Sequence, residues 1–408
     1  MNIVFVAFSC NPFNGSEDQV GWSIPLSVYS LDPRNTIIVI TKDLGRQDIK
    51  KWLSDHPECK IDFRYIDFKP TIFTRHGLWD FAENAFHKRA ISLIRELQKE
   101  MRIDVIHQVT PVNYRAIGKY WRVCKGNDTK FVCGPIGAVG MVPRPFWKYC
   151  GLKHLLIEML MQLQFVIKTF LYKAFVIRKI DAPIFVNYES VRALFGDKNK
   201  EPIILPEIGV FSDRIGNRKD VASGKPFTIL FVGRLAYRKG HLLLLEALEG
   251  LPLDIDYRLT IVGDGPEKKR IIRYLEQSPI KDKVELKGNL PYLDMGRVYE
   301  SADLLAFTTF REATGTVIIE ALSAGLPVLT INRFGAPILL NDDCAYLYDG
   351  KNNKQVLESL RSCLLDAMAK PESVLAKRNK AVEQARTLTH EKKAERLLNL
   401  YGSLCKNV

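Results

Sequence analysis

Two glutamates eight residues apart, Glu312 and Glu320, flank a Gly-Thr step in FREATGTVIIEALSAG, residues 310–325. ADLLAFTT before them reads as a strand, FREATGT as its exit loop and VIIEALSA as a helix. Gly325 supplies a helix stop and Pro327 opens the next strand. Glu312 then stands at a strand's carboxyl end and Glu320 about one turn into the helix. Loop N–H groups and the positive helix end make an anion site between them. Two carboxylates beside a phosphate repel it unless they have hydroxyls to bind, and charge-assisted hydrogen bonds to sugar or ribose hydroxyls resolve that conflict. The alternative left open is a loop charge and a partly exposed helix acid with no ligand.

Opposite charge appears in FVGRLAYRKGH, residues 231–241, where a strand ends in Gly233 and Arg234 and Lys239 follow before Gly240 and an apolar helix. Two cations there could neutralise a diphosphate leaving group in place of a metal ion, so no metal is expected. Seen alone, the piece also reads as a solvated basic turn. LTIVGDGPEKKRI places Gly263 and Gly265 in a tight strand-to-helix turn, without the third glycine of a dinucleotide fingerprint. In SCNPFNGSEDQVGW, Gly15 and Ser16 allow close backbone approach to a ligand, with Ser16 placed to cap a helix. His107 ends DVIH and Gly134 opens GPIGAVG, both on the expected cleft side; a satisfied core histidine is the competing reading. Asp254 and Asp256 in LDIDY have a metal-binding spacing but precede their strand, which puts them on the surface.

The elements that position these residues alternate. NIVFVAF, NTIIVIT, IDFRYIDF, DVIHQVT and KFVCGPIG read as strands with helical stretches between them, such as residues 77–101. A second series follows from about residue 226: FTILFVG, YRLTIVG, KVELKG, DLLAFTT and PVLTI. Alternation of this kind predicts an α/β protein with two Rossmann-like parallel sheets. Residues 201–226, rich in Pro, Gly and charge, read as the linker, and ligands are expected in a cleft at the strands' carboxyl ends. The expected N-terminal domain is 1–205 with a returning helix at 389–408, and the C-terminal domain 206–388.

A chain of 408 residues, 47% hydrophobic and 26% charged, is globular and too long for one core. Its eight cysteines form no C-x-x-C pair, which suits free thiols in a reducing compartment. The apolar start IVFVAF has no basic segment before it and reads as a buried strand, not a signal peptide. With no run of 18 apolar residues, no membrane span is expected, and a cytoplasmic location is. A net charge of +13 favours an anionic partner or only a solvated basic surface. Residues 153–179 carry an apolar stripe (Leu156, Met159, Leu160, Leu163, Ile167, Phe170, Leu171, Ala174) with Glu158, Gln162 and Lys173 opposite. Core packing and a peripheral helix on an anionic membrane surface both fit it.

Taken together, Glu312-x7-Glu320 with GTVIIEALSAGLPV, VGRL…KG, VGDGP and GSE…VGW resemble the group-1 glycosyltransferases, family four, retaining enzymes of the GT-B fold. The resemblance spans nearly the whole chain. It implies that Arg234 and Lys239 hold a donor diphosphate, that Glu320 binds ribose hydroxyls and that Glu312 meets the transferred sugar. It also implies contacts from the backbone of Ala313, Thr314, Gly315, Thr316 and Val317, from Gly15 and Ser16, from the Gly263 turn, and from Asn289 and Leu290 near the base. H-x-V-T at His107 with GP-I-G at Gly134 matches one branch, where an acceptor-side role is implied without a defined acid/base histidine. The implied function is metal-independent hexosyl transfer from a nucleoside-diphosphate sugar to a saccharide or lipid-linked acceptor, in polysaccharide synthesis, with no cofactor. A sugar-nucleotide epimerase or phosphorylase on the same fold is the alternative enzyme. A non-catalytic binder of nucleic acid or lipid is the non-enzymatic one; the basic residues are not interleaved with aromatics, so no nucleic-acid partner is expected.

Overall fold

The structure, a computed structural model, describes residues 1–68, 79–138, 140–196, 201–216, 226–291 and 294–406. Residues 217–225 of the expected linker lie outside these. The chain divides into two compact units: Met1–Ala138, Val166–Gly209 and His390–Val408 form the first, Val139–Phe165 and Val210–Thr389 the second.

Strands of the first unit are β1 (Asn2–Ala7), β2 (Thr36–Lys42), β3 (Asp62–Ile66), β4 (Val105–Thr110), β5 (Lys130–Ile136), β6 (Ala182–Phe185) and β7 (Ile203–Ile204). They pair in parallel in the order β3-β2-β1-β4-β5-β6-β7. The second unit holds β8 (Phe227–Val232), β9 (Tyr257–Val262), β10 (Val284–Gly288), β11 (Leu304–Phe307), β12 (Val328–Ile331) and β13 (Ala345–Tyr348). These too are parallel, in the order β10-β9-β8-β11-β12-β13. Helices on both faces explain why β1 and β4 are buried almost throughout, without alternation: both faces of these strands are covered. In each sheet the chain reverses direction beside its first strand, between β1 and β4 and between β8 and β11. Loops leaving those strands open the switch-point crevice where ligands of such sheets bind.

The helices include α1 (Glu17–Leu31), α2 (Trp79–Glu100) and α7 (His390–Lys406) in the first unit, α4 (His241–Glu249), α5 (Met295–Ser301) and α6 (Thr316–Ser323) in the second, and α3 (Leu152–Phe175). The start of the chain is a central strand of the first sheet. α7 packs against α1 in that unit, with Tyr401 fully buried.

Three features differ from expectation. Residues 139–165, expected with the N-terminal half, cluster with the second unit, because Phe146 stacks on Phe310 at 4.4 Å and Tyr149 bonds Asn353. β6, β7 and β13 gave no sequence signal, being two to four residues long. The third is α3. Its apolar stripe does not pack in the core: Leu160 is 67% and Phe170 70% exposed, while Glu158 is fully buried. No side-chain placement is described for Ala174. Contrary to the expectation of no span, the helix over Leu152–Lys179 is long and apolar enough, by length and composition, to cross a membrane.

Candidate functional site

At the second unit's switch point, the loops after β8 and β11 are stitched together. Gly240 has φ +72°, and a Cβ there would stand 1.9 Å from the Thr308 carbonyl oxygen, so only glycine lets the turn lie against the β11 exit. Thr308 Oγ1 donates to the Gly240 carbonyl at 3.0 Å, and the Phe310 N–H to Arg238 O at 2.8 Å. This seam brings Lys239 Nζ onto Glu312 Oε2, with Arg238 Nη1 3.8 Å from the same oxygen. Burial pushes the Glu312 carboxyl up, but the field and hydrogen bond of Lys239, helped by Arg238, hold it below the ordinary carboxylate range. Glu312 is thus an ionised acceptor facing a cation. Arg234, in the same loop, is exposed and forms no ion pair among the described residues.

Glu320 sits on α6, where Tyr299 of α5 donates to its Oε2 at 2.6 Å. Burial raises this carboxyl above its usual value, only partly opposed by the Tyr299 hydroxyl. Between the two glutamates, Gly315 at φ +91° turns the chain into α6 over the Phe307 ring. Thr314 is buried with no hydrogen-bond partner for its hydroxyl among the described residues, and it lines a small pocket together with Glu312, Thr309, Arg333 and Gly335. Ala313, Thr316 and Val317 are half-buried on the same turn. Asn289 is exposed at the exit of β10, and Leu290 packs on the core that carries α6. Gly263 serves packing: a Cβ there would meet Gly233 O at 2.1 Å, so the β9 exit lies directly on the β8 exit.

Sequence reasoning missed the support beneath this loop. Arg311 Nη1 donates to Glu158 Oε2 at 2.8 Å, and the Tyr237 hydroxyl donates to Glu158 Oε1. The Val142 N–H, at 3.1 Å, also meets Oε2. One buried carboxylate from α3 therefore anchors the residue before Glu312 and the residue two before Lys239. The available signal was that Glu158 is the only acid in an apolar helical run.

In the first unit, Gly15 and Ser16 lie in the loop after β1, also a switch point. Ser16 occupies the N-cap of α1 with φ 59°, but its hydroxyl bonds no helix N–H, so the expected side-chain cap is not formed. Instead Glu17 Oε1 accepts from the Val112 N–H in the loop after β4 at 3.2 Å. The expectation of His107 and Gly134 on the acceptor side fails. His107 is fully buried; its Nε2 faces the Gly134 carbonyl at 2.8 Å and its Nδ1 the Tyr401 hydroxyl at 2.6 Å. A carbonyl only accepts, so Nε2 carries the hydrogen and Nδ1 takes one from Tyr401. Burial, against the Gly134 hydrogen bond, lowers His107 to about 4, a neutral core histidine. Gly134 is buried too, where a Cβ would strike Ile184 O at 2.4 Å.

Asp254 and Asp256 are exposed ahead of β9, and among the described residues no three His, Cys, Asp or Glu side chains gather as a metal-ligand set. All eight cysteines are free.

Solved structures share this architecture. Anabaena Alr3699/HepE, solved in complex with UDP, superposes with a TM-score of 0.64 at 16% identity, over 99% of this chain and 100% of that one. Two parallel α/β domains of these strand orders define a GT-B fold. Residues 213–388, within the second unit, match the family Glycosyl transferases group 1. A stretch of 180 residues is 30% identical to the D-inositol 3-phosphate glycosyltransferase of Corynebacterium diphtheriae, covering 42% of this chain and 41% of that protein. Another, of 160 residues, is 31% identical to the N-acetylgalactosamine-N,N'-diacetylbacillosaminyl-diphospho-undecaprenol 4-alpha-N-acetylgalactosaminyltransferase of Campylobacter jejuni, covering 38% and 42%. The chain thus spans less than half the length of these two relatives.

Proposed function

We propose that this chain moves a hexosyl group from a nucleoside-diphosphate sugar to a saccharide or lipid-linked acceptor, with retention and without a metal ion. The observation that carries the reading is the Lys239–Glu312 pair at the second unit's switch point, with Arg234 exposed in the same loop. Donor diphosphate would take Lys239 and Arg234 as its counter-charges, releasing Glu312 to accept hydrogen bonds from sugar hydroxyls. Glu320 would bind the ribose. As the bond from the anomeric carbon to the β-phosphate oxygen breaks, the cations stabilise the negative charge growing on the diphosphate. The acceptor oxygen forms its bond on the face being vacated, and its proton passes to a departing phosphate oxygen. Relatives support the substrate classes: HepE is solved with UDP, and the Campylobacter protein is named for a diphospho-undecaprenol saccharide.

A panel of labelled nucleotide sugars, scored by thermal shift and then by transfer, tests this. Arg234→Ala and Glu312→Ala should each lose about 100-fold or more in turnover. Wild-type-like transfer by both would discard the assignment. Release of nucleoside diphosphate that requires added acceptor separates transfer from epimerisation.

A further inference from the structure

Helix α3 presents its apolar side to solvent and its polar side to protein. Leu156, Leu160, Leu163, Ile167, Phe170 and Leu171 are all exposed. Inward, Glu158 holds Arg311 and Tyr237, Gln162 Oε1 accepts the Met141 N–H at 3.0 Å, and the Tyr172 hydroxyl donates to Arg115 O. Water makes this arrangement unfavourable, because a contiguous apolar face of this kind marks an interaction surface.

Charge decides the occupant. Between Lys153 and Lys173 no charged side chain is exposed: Glu158 is buried and Lys168 half-buried. Lys153 stands at one end of the face, and Lys173, Arg178 and Lys179 at the other, all exposed. A second copy of the same face would set cations against cations whichever way the two helices ran. A lipid bilayer with anionic headgroups satisfies both parts, acyl chains for the leucines and phosphates for the flanking cations. The helix is 24 residues, about 36 Å, which would suffice to span. Its inward polar face is already bound to protein, so lipid can reach one side only.

We propose that α3 lies flat on an anionic lipid surface, with Leu156 to Leu171 among the acyl chains and the flanking lysines and arginine at the headgroups. The inference rests on the helix alone and stands apart from the donor chemistry. Full-length protein is floated with phosphatidylcholine vesicles with and without phosphatidylglycerol, at low and physiological salt. Wild type should float with the anionic vesicles, less so as salt rises. Leu160→Ser and Phe170→Ser should each lower the partition coefficient roughly tenfold, with melting temperature unchanged. Lys153→Glu with Lys173→Glu, which leaves the apolar face intact, should remove the preference for phosphatidylglycerol. Wild type that fails to float, serine variants that float equally well, or a dimer that the serine substitutions convert to monomer would each overturn the proposal.

Discussion

Helices α3 and α6 each carry one glutamate among apolar residues, and they dispose it in opposite ways. In α6, Ile318, Ile319, Ala321 and Leu322 are buried against the second sheet, and Glu320 is left at the rim with Tyr299. In α3 the leucines and phenylalanines face out, while Glu158 is fully buried under Arg311 and Tyr237. The difference lies in what each helix rests on. α6 covers the apolar residues of β11 and β12, such as Leu305 and Val328, so burying its own apolar side is favourable. Beneath α3 lie a guanidinium, a phenol and the backbone N–H groups of Met141 and Val142, whose bonds to α3 side chains would be lost under leucine. Helical spacing defines a stripe; the neighbour decides which way the stripe turns.

The sharpest way to break this comparison is to give α3 the residue its apolar pattern suggests. Glu158→Leu strands the Arg311 guanidinium, only 15% exposed, and the Tyr237 hydroxyl. Removing one partner of a buried pair costs about 3–5 kcal/mol, read as a lower urea midpoint. Glu158→Met with Arg311→Met should recover most of that stability yet leave transfer impaired, because the loop before Glu312 loses its anchor. Full recovery of transfer would reduce Glu158 to ordinary packing.

The matching cut in α6 is Ile319→Ala, which opens a cavity in a closed core. A loss of about 2–5 kcal/mol is expected, somewhat below that of Glu158→Leu, with donor affinity retained if Glu320 keeps its place. Chemical denaturation beside a donor titration measures both.

Glu320 itself should separate stability from binding. Its carboxyl is raised by burial, so the folded state disfavours the charged form. That penalty is full above the raised folded value and fades as pH falls through it towards the unfolded value. Glu320→Gln should therefore melt higher than wild type at neutral pH, with the gap closing in acid. Donor affinity should fall about tenfold to a hundredfold, the worth of a charged hydrogen bond at roughly 1.5–3 kcal/mol. Glu312 has the opposite sign: held below its ordinary range, it adds stability above that range, lost as pH drops through its lowered value. Parallel pH–melting curves for Glu320→Gln and Glu312→Gln that share one slope would contradict the assignment.

Much of this was legible in the chain. The strand runs, the Glu312 loop and the Glu320 helix follow from apolar runs and glycine punctuation, because those signals are local. What escaped depends on contacts far apart in sequence. Glu158 and Arg311 are 153 residues apart, and no spacing rule connects them. His107 reads as a cleft residue by its place at a strand end, yet Tyr401, 294 residues later, and Gly134 enclose it. The short strands β6, β7 and β13 form because a neighbouring strand offers its free edge, not because their own residues demand it.

The smallest effect closes the comparison from the other side. Leu160→Gln replaces an outward leucine of α3 that is 67% exposed and has little apolar contact to lose. Helix propensity is nearly equal for the two residues. Stability in solution should stay within about 0.5 kcal/mol of wild type, against several for the buried Ile319 of α6. A loss of about 2 kcal/mol or more, as for a core leucine, would mean that this face is covered by protein in solution, and the contrast between the helices would collapse. An unchanged melt, with vesicle binding weakened, fits a face whose partner is lipid.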